Sequence, residues 1–183
     1  MLNPLPIVGV MGSHQQAWEE LAAPVGKLIA ERGCNLLTGA GGGVMTAVAK
    51  AFVSKKNRAG LSIGIIPTVE KDGVFTRSGE YSNPYIEIPI VTPLDIKALN
   101  DRMPYSRNHV NIMTSHAVII LPGDHGTRHE AELSLSMSKP HIFYGPQEAF
   151  KKFPDESPRF SEFSKVTAFL DEFLRLYDAK SLV

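Results

Sequence analysis

A chain of 183 residues, 43% hydrophobic and 21% charged, is long enough to bury a sizeable core and too apolar to stay disordered. Its 19 Lys and Arg balance 19 Asp and Glu, which disfavours a surface built to coat nucleic acid, and no apolar run reaches membrane-spanning length. With Cys34 as its one cysteine, the chain has neither an intrachain disulfide nor a cysteine-rich metal site.

The start, Met1-Leu2-Asn3-Pro4-Leu5-Pro6, has no basic stretch and no long apolar core, so no leader is expected and the chain reads as a soluble cytoplasmic protein. A first apolar strand, Ile7–Met11, ends in the turn Gly12-Ser13-His14. A helix over Trp18–Arg32 follows, closed by Gly33 at the position where left-handed backbone ends helices. Strand Asn35–Thr38 runs into Gly39-Ala40-Gly41-Gly42-Gly43 and then a helix over Val44–Ser54. After strand Ser62–Ile66, the stretch Glu70–Pro84 is polar and rich in turn residues, and reads as a mobile surface loop of the kind that covers a site. Strand Ile86–Val91 precedes Thr92-Pro93, an N-cap and first-turn proline for a helix over Pro93–Asn100. Pro104 separates that helix from another over Ser106–Thr114. Strand Ala117–Leu121, helix Arg128–Ser138, strand His141–Tyr144, a polar loop Gly145–Pro158 and helix Ser161–Tyr177 complete the chain. The last helix carries Val166, Phe169, Leu170, Phe173 and Tyr177 on one stripe, which should pack on a sheet. Strands that are apolar throughout and alternate with helices predict one domain, residues 1–183, with a doubly wound parallel α/β sheet flanked by helices and right-handed crossovers.

Ligands of such sheets bind at the carboxyl ends of the strands, where three glycine-bearing loops fall. The most informative is Leu121-Pro122-Gly123-Asp124-His125-Gly126-Thr127-Arg128-His129-Glu130, a strand end that opens a helix and offers free N–H groups to a phosphate. In the second loop, four glycines in five residues exceed what a turn needs and let backbone approach a ligand. Neither a P-loop nor a convincing dinucleotide fingerprint is present. Thr127 and Glu130 have the spacing of a capping box; equally, Glu130 at a first turn is placed to contact a ligand or act as a general acid or base. Arg107 is either a solvated helix-end side chain or a clamp for an oxyanion, with Asn108 as its polar neighbour. His116, His125 and His129 fit no zinc spacing, so no metal is expected. Asp124 repels an anion but suits the N–H donors of a heterocycle. The ligand so described is a small phosphorylated heterocycle, and the residues expected to bind it are Gly12, Ser13, His14, Gly39, Gly41, Gly42, Gly43, Arg107, Asn108, Gly123, Asp124, His125, Gly126, Thr127 and Glu130.

The segment Pro122–Glu130 resembles the P-G-G-x-G-T-x-x-E motif of the Rossmann-like superfamily that includes the cytokinin-activating phosphoribohydrolases, often misnamed lysine decarboxylases. Asp124 is the one departure, and Arg107 stands upstream at that family's spacing for its catalytic arginine. Other segments resemble a sister group, the molybdenum cofactor carrier proteins, more specifically. These are Gly41-Gly42-Gly43-Val44-Met45 with Ala47-Val48-Ala49, the strand Ile63-Gly64-Ile65-Ile66-Pro67, the run from Asn83 to Thr92, and the pair Arg107-Asn108. This resemblance implies a Rossmann-like fold and a non-enzymatic carrier that binds the molybdopterin cofactor as cargo, protects it and delivers it to molybdenum enzymes. It also implies a homo-oligomer, with a tetramer the usual form. The alternative it leaves open is a nucleoside 5′-monophosphate phosphoribohydrolase, with Arg107 and Glu130 acting on the N-glycosidic bond.

Overall fold

The computed structural model describes residues 4–77, 79, 81–94 and 105–180. In chain order they form β1 (Ile7–Met11), α1 (Glu19–Glu31), β2 (Asn35–Thr38), α2 (Val44–Val53), β3 (Ser62–Ile66), β4 (Thr68–Lys71), β5 (Val74–Arg77), β6 (Ile88–Val91), α3 (Arg107–Thr114), β7 (Ala117–Ile120), α4 (His125–Ser136), β8 (His141–Tyr144), a 3-10 turn over Gln147–Phe150, β9 (Arg159–Phe160) and α5 (Phe163–Lys180). Seven strands pair in parallel in the order β6-β3-β2-β1-β7-β8-β9, the doubly wound sheet expected from the alternation.

Because successive side chains of a strand leave opposite faces, each strand feeds two cores. Val8, Val10, Leu36, Ile119 and Ile142 pack with α1, α2 and α5, where Ala22, Val25, Ile29, Val48, Phe52, Val166 and Leu170 are buried. Met11, Leu37, Ile65, Val118, Ile120 and Phe143 pack with Ile112 of α3, Ala131 and Leu133 of α4, and Phe150 and Phe153. Gly26 sets the approach of α1 to α2, since a Cβ there would lie 2.3 Å from the Val48 carbonyl oxygen. The α5 stripe packs on the sheet as its spacing predicts, with Val166 and Leu170 fully buried.

The structure corrects four expectations. Glu70–Pro84 is not simply a loop: β4 and β5 pair as an antiparallel hairpin that begins at Thr68 and turns at Asp72-Gly73, both at positive φ. Gly145–Pro158 contains the 3-10 turn, and Phe150 and Phe153 are buried in it. The helix after β7 begins at His125, not Arg128, because Asp124 takes the N-cap position. Thr127 and Glu130 therefore form no capping box; Thr127 sits inside the helix and Glu130 on its buried face. From residue 95 onward the helix expected over Pro93–Asn100 lies outside the described residues, as does Pro104. No helix among the described residues is long and apolar enough to cross a membrane.

Candidate functional site

After β1 the chain winds outward through β2, β3 and β6, then returns to place β7 on the other side of β1. Loops leaving β1 and β7 diverge there, which opens a crevice at their carboxyl ends. Ser13 stitches the crevice floor: its N–H donates to the Pro122 carbonyl at 3.0 Å, and its carbonyl accepts from Val44 N–H at 2.9 Å. Its hydroxyl accepts from the N–H groups of Gln15 and Gln16 at 3.2 and 3.1 Å. Gly123 is packed so tightly that a Cβ would lie 2.2 Å from Thr127 Oγ1, and Gly43 is at φ +56°. These glycines serve the packing of loop on loop. Gly126 differs, since a Cβ there would meet nothing within 4 Å.

The crevice narrows to a cavity of about 110 Å³. Of the residues expected to bind a ligand, Gly12, His14, Arg107, Asn108, Asp124, Gly126, Thr127 and Glu130 line it. Val10, Met11 and Met45, which the sequence did not mark, line it too. Ser13 and Gly123 line a neighbouring cleft, His125 and again Gly123 line another, and Gly39, Gly41, Gly42 and Gly43 do not line the cavity. Among the described residues, no group of three or more His, Cys, Asp or Glu side chains is arranged to hold a metal ion.

Arg107 opens α3 but is not a solvated helix-end arginine; only 9% of it is exposed. Its Nη1 donates to the Gly39 carbonyl at 2.6 Å and to Ile65 at 3.5 Å, and its Nη2 donates to the Tyr81 hydroxyl at 3.3 Å. The guanidinium lies 4.8 Å from the Tyr81 ring centroid. Gly39 permits this approach, since a Cβ there would crowd Nη1 at 3.1 Å. All these partners are neutral, and Nε is buried without a hydrogen-bond partner. Among the described residues this buried cation is held by dipoles alone, an environment that favours a counter-anion.

The nearby carboxyl does not supply that charge. Glu130 is 8% exposed, and burial pushes its pKa up to about 7, against the opposing pull of a hydrogen bond from Asn111 and of the Arg107 charge. Asn111 Nδ2 donates to Glu130 Oε1 at 2.8 Å, while Asn111 Oδ1 is buried without a partner. Around neutral pH about half of Glu130 is thus protonated and able to donate a hydrogen bond, which leaves the Arg107 charge only partly opposed from that side. Asn108 Nδ2 donates to the Gly126 carbonyl at 3.4 Å, tying α3 to the first turn of α4. Burial and the His109 charge hold His129 below the usual histidine range. Asp124 is exposed at the cavity mouth and makes no cap hydrogen bond with its side chain.

Two residues of the stretch read as a loop bear on the site. Tyr81 covers Arg107 and lies 5.6 Å, centroid to centroid, from the His14 ring. Asn83 binds the glycine loop twice, N–H to Ala40 carbonyl and Nδ2 to Gly41 carbonyl, each at 3.0 Å. The pair Asn83-Pro84 was a visible turn signal; the place of Tyr81 depends on packing between distant segments and left no local mark.

Comparison with known proteins places this geometry. A molybdenum cofactor carrier protein from Chlamydomonas reinhardtii superposes with a TM-score of 0.70 at 26% identity, covering 94% of this chain and 99% of that one. The molybdenum cofactor binding protein of Rippkaea orientalis superposes with a TM-score of 0.73, again at 26% identity and the same coverage. An uncharacterized protein of Archaeoglobus fulgidus is 32% identical over 134 residues, 72% of this chain and 75% of its own length. Residues 5–169 match the SLOG cluster4 family, and the chain belongs to that family.

Proposed function

We propose that this chain is a carrier of the molybdenum cofactor: it binds the phosphorylated pterin as cargo, shields it and releases it to molybdenum enzymes. The observation that carries the reading is Arg107, a buried cation with neutral hydrogen-bond partners among the described residues and an unpaired Nε, beside a Glu130 whose pKa burial raises to about 7. Such a cavity takes an anion more readily than one in which Glu130 were fully ionised. At about 110 Å³ it has room for a group the size of roughly four waters, which suits a phosphate or an oxo-metal head and not a whole pterin. The pterin would then lie at the mouth, where Asp124 is free to accept from its N–H groups. Solved carriers of 26% identity that span almost the whole chain support the same choice of cargo. We further take the chain to act as one domain, in a cytoplasmic homo-oligomer. The test is reconstitution. Protein loaded with cofactor should activate a cofactor-free molybdenum enzyme after exposure to air that inactivates free cofactor; activation no better than with free cofactor would overturn the reading.

One observation favours a second reading, a phosphoribohydrolase. A carboxyl with a pKa of about 7 is poised to give a proton to a departing base. Asp124 opposes it, because a carboxylate at the turn weakens the grip on a nucleotide 5′-phosphate. Release of free base from AMP or a cytokinin ribotide, abolished by Glu130→Gln, would establish this reading instead.

A further inference from the structure

The small cavity leaves most of any ligand outside it, and the space beyond Asp124 has a character of its own. Asp124 also lines a cleft of about 410 Å³, together with His125, Arg128, Glu148, Lys151 and Lys152. The two lysines come from the segment that the sequence marks only as a polar loop. That segment is firmly held: Phe150 and Phe153 are buried on either side of the pair, and Phe150 stacks on Phe143 at 5.2 Å. Arg159 Nη2 donates to the carbonyls of Phe153 and Pro154 at 3.0 and 2.6 Å. Lys151 and Lys152 themselves make no ion pair or side-chain hydrogen bond among the described residues, and Arg128 has only a loose contact with Glu132 at 3.7 Å. In a chain of zero net charge, two unpaired lysines on a rigid frame and a loosely paired arginine of α4 are thus presented beside the ligand cavity.

Resting on the cofactor reading above, we infer that this cleft is a second anion subsite, so that the ligand lies across Asp124 with one anionic group at Arg107 and Glu130 and another at Arg128, Lys151 and Lys152. The site then selects elongated ligands that carry anionic groups at both ends and N–H donors between them. A compact monoanion would satisfy only one end. The pattern of charge matches that class: cations at the two ends, and carboxylate acceptors, Asp124 and Glu148, between and beside them.

Inorganic phosphate, followed by amide chemical shifts, tests the subsite without the cofactor. Wild-type protein should show two separable responses, one at residues 108, 126, 127 and 130 and one at residues 148–153. The exposed pair Lys151→Ala/Lys152→Ala should lose the second and keep the first, with an unchanged melting temperature. Affinity for the molybdenum cofactor should fall about tenfold in that variant, since every such factor corresponds to a few screened charge contacts. No response at residues 148–153, or one that survives the double substitution, overturns the inference. If both responses occur but the cofactor does not bind, the cofactor reading fails while the two-ended site stands for another doubly anionic ligand.

Discussion

The two ends of the groove over Asp124 hold positive charge in opposite ways. At one end Arg107 is walled in by the Gly39 and Ile65 carbonyls and the Tyr81 ring. At the other, Lys151 and Lys152 stand in solvent on a frame of buried phenylalanines. A buried charge acts at fixed geometry with little screening, and the fold depends on its bonds. Exposed charges act by number, are weakened by salt and leave the fold indifferent. Substitution at the first end should disturb folding and binding together, and at the second, binding alone.

The sharpest way to break this contrast is Arg107→Ala. It strips donors from two buried carbonyls and should cost about 3 kcal/mol or more in unfolding free energy, at roughly 1–3 kcal/mol per orphaned group. The phosphate response at residues 108, 126, 127 and 130 should vanish with it. A variant with the wild-type melting temperature would show that the arginine is not held as described.

Next in size is the effect of pH on stability. Burial raises the Glu130 pKa from 4.5 to about 7, so the folded state keeps a proton that the unfolded chain gives up. The stability this proton confers is complete below about pH 4.5 and is lost as pH rises to about 7. The loss approaches about 3 kcal/mol, at 1.36 kcal/mol per pH unit. Glu130→Gln should remove this decline, so denaturant unfolding at pH 5 and pH 8 would give similar midpoints. A decline that persists in the glutamine variant assigns it to another group.

Smaller still is the effect of Gly126→Leu. The added side chain enters open space at the cavity, and a better helix former replaces glycine in α4, so stability should hold or rise by about 0.5 kcal/mol. Ligand affinity should fall by an order of magnitude or so, because the side chain occupies part of the small cavity. A calorimetric titration with unchanged affinity would place the ligand elsewhere. The smallest effect is that of salt. Raising ionic strength from about 0.05 M to about 0.2 M shortens the Debye length to less than 10 Å and should weaken cofactor binding to wild type more than to Lys151→Ala/Lys152→Ala.

Legibility in the sequence follows the range of the forces involved. Six strands of the main sheet were readable because they are short apolar runs closed by glycine or proline, whereas the two-residue edge strand β9 (Arg159–Phe160) was not; Gly33 lies at φ +70° as a helix-ending glycine should. The hairpin β4–β5 was readable too, since Asp72-Gly73 is a strong turn pair, but the polar composition around it suggested a loop. Thr127 and Glu130 misled because the spacing of a capping box is local, whereas the helix start was decided by the tight turn at Gly123 and by Asn111 reaching Glu130 across from α3. Tyr81 over Arg107, and the lysine pair on its phenylalanine frame, arise from contacts between distant segments. No short window of sequence contains them.

Cofactor stoichiometry tests the central claim most directly. Purified protein is mixed anaerobically with excess molybdenum cofactor and passed through gel filtration, and molybdenum and pterin are measured across the protein peak. The account predicts one molybdenum and one pterin per chain in wild type, and neither in Arg107→Ala that remains folded. A protein peak free of both in wild type, or equal loading of the two proteins, would contradict it.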